Sequence, residues 1–352
     1  MATRTVAHGT LGSFLGSGHQ RATISWRQCR TRRGVPLGQC RGVCSSFHAR
    51  FQPFEAIDRR LSDVAAAHPQ RATLSRLEHG APVLRLKAPG GTGPKPQVWL
   101  QGGMHACEWI GPATIMFLID AALASEWRFG DVELLFLPVF NVEGYVHSWR
   151  ADRFWRGGMS GVNPNLNFPT AFGSFGLLER LLARPHLPTS KIYPGPEPLS
   201  EPSCRAVARE LRALPRLELF VDFHSYGQKW GLPHVHTRRR PHNYAELCRA
   251  ADVAVAAAER AHGAQYEVMQ LSELEAVGGT IMDWVHDELR VPFCFTVELR
   301  PTLPEGLPLL LGFLRKGLAV YHEGFKLPEE QIIEVGEEIT AAIADVLRHI
   351  SE

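Results

Sequence analysis

His105 and Glu108 stand three residues apart in the run Gly102-Gly103-Met104-His105-Ala106-Cys107-Glu108. A distant histidine, His224, follows the apolar run Leu217–Phe223, and Glu298 follows Val291–Val297. Two imidazoles and one carboxylate are the three-ligand set of a catalytic zinc, which keeps a fourth position open for water. A further carboxylate beside such a site can act as a general base. The His-x-x-Glu spacing carries little weight alone. With 16 His and 26 Glu in 352 residues, about one such pair arises by chance, and His349 with Glu352 forms another. Context separates the two pairs. Gly102-Gly103 precedes His105, Trp109 and Pro112 follow it, and His224 supplies a second imidazole. The plain alternative for Glu298 is a salt bridge to nearby Arg300.

These groups all follow segments that read as strands. Val98–Leu100, Val132–Phe140, Leu217–Phe223 and Val291–Val297 are apolar runs rich in Val, Leu and Phe. Runs of that kind, without strict alternation, suit strands covered on both faces. Open α/β sheets form their sites beyond the carboxyl ends of such strands. Helical patterns lie between them. Ile110–Ala124 carries Pro112 in its first turn, Glu201–Leu214 follows Ser200 as its N-cap, and Ala245–His262 is alanine-rich. Near the end, Ile332, Val335, Ile339, Ile343, Val346 and Ile350 recur at helical steps. Strands alternating with helices predict an α/β layer fold.

The charges are unevenly spread. Residues 1–54 hold eight Arg, no Lys and no acid, whereas residues 55–352 hold 30 basic and 36 acidic residues. A mildly acidic body argues against nucleic acid as a partner. The leader has the composition of an organelle transit peptide, for a mitochondrion or a plastid. A disordered basic arm on a secreted or cytoplasmic protein is the alternative. No apolar run approaches the roughly 18 residues of a membrane span. The four cysteines of the body, Cys107, Cys204, Cys248 and Cys294, are widely spaced and read as free thiols. The predicted division is a leader over 1–54 and one catalytic domain over 55–352. The sequence specifies no oligomeric state.

The segment Gly102–Thr114 resembles the zinc-binding segment of the funnelin-type metallocarboxypeptidases, the carboxypeptidase A/B-like family. The likeness continues in order through Asn141-Val142-Glu143-Gly144-Tyr145, Asp152-Arg153-Phe154-Trp155-Arg156 and Gly161–Phe168. It runs on through Tyr193-Pro194-Gly195, His224-Ser225-Tyr226, Gly278-Gly279-Thr280, Asp283-Trp284 and Phe295–Arg300. It covers residues 55 to about 350. The fold it implies is a single α/β domain, with a mixed, mostly parallel central sheet and helices on both faces. It implies one zinc ion on His105, Glu108 and His224, and a peptide or protein substrate. Glu298 would deprotonate the attacking water and later protonate the leaving amine. Arg156 would polarise the scissile carbonyl. Asn165, Leu166, Tyr226, Leu274 and Ile281 would line the substrate subsites.

This chain departs from that family at the anchor for the substrate's terminal carboxylate. The family's arginine is Leu166 here, its mobile tyrosine is Leu274, and Cys107 stands where Arg is usual. A carboxylate without a cation or donors is penalised, and Asn165 alone does not replace a bidentate guanidinium. One extra residue separates Gly278-Gly279 from Asp283-Trp284, beside the apolar pair Ile281-Met282. Three readings follow. The first is a carboxypeptidase whose anchor has moved to Arg150, Arg153 or Arg238–Arg240. The second is a zinc amidohydrolase or endo-acting peptidase on substrates lacking that carboxylate. The third is a zinc-binding protein without turnover. Thr280, Ile281 and Met282 put no charge in the expected side-chain pocket, which favours an apolar or aromatic residue.

Overall fold

The computed structural model describes residues 46–90, 93–124, 127–175, 192–302 and 322–352. Among the described residues, eight strands form one sheet. They are β1 (Ala72–Arg76), β2 (Pro82–Lys87), β3 (Gln97–Gly102), β4 (Glu133–Leu137), β5 (Leu217–Gly227), β6 (Lys229–Leu232), β7 (Glu267–Gln270) and β8 (Phe293–Thr302). Their order is β1-β2-β4-β3-β5-β8-β6-β7. The central strands β4, β3, β5 and β8 are parallel, and antiparallel pairs lie towards both edges. The four apolar runs identified in the sequence become these four central strands. They are the strands buried on both faces, so their side chains have no solvent-facing alternation to show.

Seven helices cover the sheet among the described residues: α1 (Phe54–Ala67), α2 (Ile110–Leu123), α3 (Val142–Arg150), α4 (Pro202–Arg212), α5 (Tyr244–His262), α6 (Ile281–Asp287) and α7 (Ile332–Ser351). Two large apolar clusters result. One joins α1, α2, α5 and α7 to residues such as Val98, Leu100, Val221 and Val297. The other joins α4 and α6 to Trp99, Leu135, Phe220 and Cys294. Alternate residues of β3 and β5 thus feed opposite clusters, as strand periodicity requires. Helix α2 is apolar on nearly all sides because sheet and α7 both bury it. No helix among the described residues is long and apolar enough to cross a membrane.

Two local readings change. The body begins before residue 55. Phe51 is buried in the core, Phe47 packs against it, and His48 Nε2 bonds Asp120 Oδ2 at 2.8 Å. The acid-free composition of the leader hid these aromatic anchors. Residues 1–45 of that leader lie outside the described residues. Glu201, not Ser200, is the N-cap of α4. Ser200 instead turns its hydroxyl to accept from Asn167 Nδ2 at 2.8 Å. The four cysteines of the body are free thiols, three of them buried.

Candidate active site

The turn from β3 into α2 is built on close backbone approach. A Cβ on Gly102 would lie 2.8 Å from the carbonyl carbon of Gly111, and Gly103 adopts φ +66°. Both features favour glycine there. The turn places His105 and Glu108 between the strand end and the helix. Arg153 clamps it from outside, stacking 3.7 Å over Trp109 and donating to the carbonyls of Cys107 (2.7 Å) and Phe325 (2.6 Å). His224 lies near the end of β5 and is in register with Glu298 on β8. The central parallel strands thereby bring an imidazole and a carboxylate level with the turn.

Three ligand atoms converge. His105 Nδ1 is 3.0 Å from Glu108 Oε1, and His224 Nδ1 is 3.0 Å from both His105 Nδ1 and Glu108 Oε2. All three residues are buried. The outer nitrogens are committed elsewhere. Asn163 Oδ1 accepts from the Asn165 backbone N–H, so it is oxygen that faces His105 Nε2 at 3.0 Å. The Asp222 carboxylate faces His224 Nε2 at 2.8 Å. Both Nε2 atoms therefore carry their protons outward, which turns both Nδ1 lone pairs inward. Two lone pairs and a carboxylate facing one point repel unless a cation lies between them. Ligand atoms about 2.0–2.1 Å from a tetrahedral zinc sit roughly 3.3 Å apart, close to the spacing here. The residues fit zinc.

The electrostatics agree with that arrangement. Burial works to raise the Glu108 carboxyl, but His105, Arg156 and His224 together hold it well below the usual carboxylate range. Burial and the Arg156 charge lower His105 to about 4. Burial opposes charge on His224, yet Asp222 and Glu108 outweigh it and hold this imidazole well above its usual value. Burial raises Glu298 to about 7; Glu108 and Asp222 push the same way, against His224 and Arg156.

A family model described as zinc carboxypeptidase matches residues 57–342. The chain belongs to the zinc carboxypeptidase family. It is 28% identical over 320 residues to carboxypeptidase B of Astacus astacus, covering 86% of this chain and 97% of that one. It is 29% identical over 333 residues to carboxypeptidase A2 of Rattus norvegicus, covering 89% and 73%. A solved structure of bovine thrombin-activatable fibrinolysis inhibitor, in complex with tick carboxypeptidase inhibitor, superposes with a TM-score of 0.73 at 26% identity, covering 87% of this chain and 99% of that one. As a member of this family the protein is a zinc-dependent hydrolase.

The remaining sequence-predicted residues are placed as follows. Arg156 forms an ion pair with Glu108 at the site's edge. Asn165 Oδ1 accepts from the Ile281 backbone N–H at 3.1 Å, which ties the Pro164–Leu166 turn to the start of α6. Leu166 is buried, whereas Leu274 is 42% exposed. Tyr226 is partly buried and packs edge-on against Phe325. Ile281 and Met282 are fully buried in the second apolar cluster. Arg300 pairs with Glu334 and Glu338 of α7, so it is committed away from Glu298. Asp222 and Asn163, which orient the two histidines, were missed as site residues. Their signal was weak: Asp222 is the single acid inside the apolar run Leu219–Phe223, two residues before His224 and so on the same strand face.

Proposed function

We propose that the protein releases single residues from the C-termini of peptides, with a weakened grip on the terminal carboxylate. One observation carries this reading: outward-pinned His105 and His224 converge with Glu108 while Glu298 stands in register beside them. Zinc held by His105, Glu108 and His224 supplies Lewis-acid polarisation and acidified water. Glu298 takes the proton of the attacking water and returns it to the leaving amine. A carboxyl raised towards neutrality suits both transfers. Arg156, beside Glu108, offsets negative charge developing on the carbonyl oxygen.

The carboxylate grip is weak because the family's arginine is missing and three of the five arginines that could replace it are engaged elsewhere. Leu166 and Leu274 provide no charge. Arg150 pairs with Glu55, Arg153 spends its guanidinium on two backbone carbonyls, and Arg240 stacks 4.4 Å over Tyr244. Asn165 keeps its Nδ2 group as a donor, because Ile281 fixes its oxygen. The test uses matched peptides with free and amidated C-termini, followed by mass spectrometry. Release of the terminal residue from the free acid, with only modest discrimination against the amide, supports the reading. Cleavage confined to internal bonds or to amidated peptides would reject it. The same proposal places the protein in an organelle, on the Arg-rich, acid-free composition of residues 1–54. A fluorescent fusion of those residues that stays cytosolic would contradict that part.

A further inference from the structure

A second group of ligating side chains lies outside the site described above. His234, His286 and Asp287 bring one ligand atom each within 4.8 Å of one another. His234 follows β6, whereas His286 and Asp287 end α6. Asp287 Oδ1 lies 2.7 Å from His286 Nδ1 and 3.1 Å from His234 Nε2. The group shares no residue with His105, Glu108 and His224.

The outer nitrogens are pinned in the manner of a metal site. His234 Nδ1 faces the Arg239 backbone carbonyl at 2.9 Å, and a carbonyl can only accept. His286 Nε2 faces Asn243 Oδ1 at 3.1 Å. The Asn243 amide cannot be turned round, because its Nδ2 donates to the Pro292 carbonyl at 2.7 Å. Both outer nitrogens therefore carry protons. His234 Nε2 and His286 Nδ1, when neutral, aim lone pairs at an ionised carboxylate. Something positive must lie between them, a proton or a metal ion. Outer-shell oxygens that fix the tautomer of a histidine are what metal-ligating histidines use.

The scaffold is rigid. Gln270 is buried, and its Nε2 donates to the carbonyls of His234, Thr237 and Arg239, tying the loop that carries His234. Asp283 holds the neighbouring His236 through its Nδ1 at 2.7 Å. Asp283 and Asp287 oppose the positive field of Arg238, Arg239 and Arg240, whose side chains are exposed. His286 is buried, while His234 and Asp287 reach partly to solvent, which leaves room for water to complete a coordination shell.

We propose that His234, His286 and Asp287 bind a second divalent transition-metal ion of the zinc class. Two imidazoles and a carboxylate suit zinc by donor type. The ion would staple the β6–α5 loop to the C-terminal end of α6. This inference does not depend on the peptidase reading, because its readout is metal content.

The experiment equilibrates the full chain with zinc, removes unbound metal by desalting, and counts zinc by elemental analysis. Wild type is expected to hold about two ions, and His224→Ala about one, each three-ligand group holding one. Asp287→Asn and His286→Gln, each checked for folding by circular dichroism, should each drop the wild-type count by one. Cobalt loaded into His224→Ala should give a visible absorption band that Asp287→Asn removes. His224→Ala free of zinc overturns the proposal and leaves a proton between these side chains. So does an unchanged count in both Asp287→Asn and His286→Gln.

Discussion

Replacing Asp222 by Asn isolates the contribution of the residue behind His224, a proposed metal ligand. Asp222 accepts from His224 Nε2 at 2.8 Å, and both side chains are buried, so water screens little of this charge-assisted bond. Asparagine keeps one oxygen for that bond but loses the negative charge. Its amide nitrogen would then replace Asp222 Oδ1, which has no hydrogen-bond partner among the described residues. A donor there stays unsatisfied, at a cost of roughly 1–3 kcal/mol unless the amide turns and breaks the bond to His224. Loss of such an outer partner typically weakens metal binding about 10–100-fold, or roughly 1.4–2.7 kcal/mol. The burial here argues for the upper part of that range. Competition with a chelator of known zinc affinity measures it. Affinity within about twofold of wild type, in a folded variant, would refute the claim that Asp222 sets the basicity and orientation of His224.

Three further outcomes follow from other parts of the molecule. Leu166→Arg should raise kcat/KM for a free-acid peptide by about thirtyfold, from a charge-assisted contact on the order of 2 kcal/mol, and leave the amidated peptide little changed; steady-state kinetics on both peptides checks it. Arg300→Met leaves Glu338 buried without its cation and should cost about 3–5 kcal/mol, read as a fall in the denaturant midpoint. As the proposed base, Glu298 would work only when ionised, so kcat/KM should fall about tenfold per pH unit below its pKa. That value is about 7 without metal, and zinc beside it stabilises the anion, so the acid limb of the zinc-loaded enzyme should break below 7, which a pH profile of kcat/KM checks.

Much of the site was legible in the sequence because its elements are extreme cases. The strands that deliver His224 and Glu298 are buried on both faces and read as plain apolar runs. Strands β1 and β2 were not recognised. They lie at one end of the sheet, β1 at the edge and β2 beside it, are short, and carry Arg76, Arg85 and Lys87 where the side chains reach towards solvent. Arg153 illustrates a different gap. As a residue type it suits an anion anchor, but its partners are the carbonyls of Cys107 and Phe325, the latter 172 residues away. Only the folded chain brings those acceptors together. Likewise Asn165 was expected at the substrate subsite, and its oxygen is used to hold Ile281. Backbone partners of side chains leave no trace in composition or spacing.

The central claim is that a zinc site on His105, Glu108 and His224 works with Glu298 as its base. Glu298→Gln tests it most directly, because the amide keeps the shape but cannot take a proton. Zinc content and kcat/KM for a free-acid peptide should be measured on the same preparation. The account predicts unchanged zinc content with turnover reduced by about 10²–10⁴-fold. Turnover close to wild type with zinc retained would contradict it.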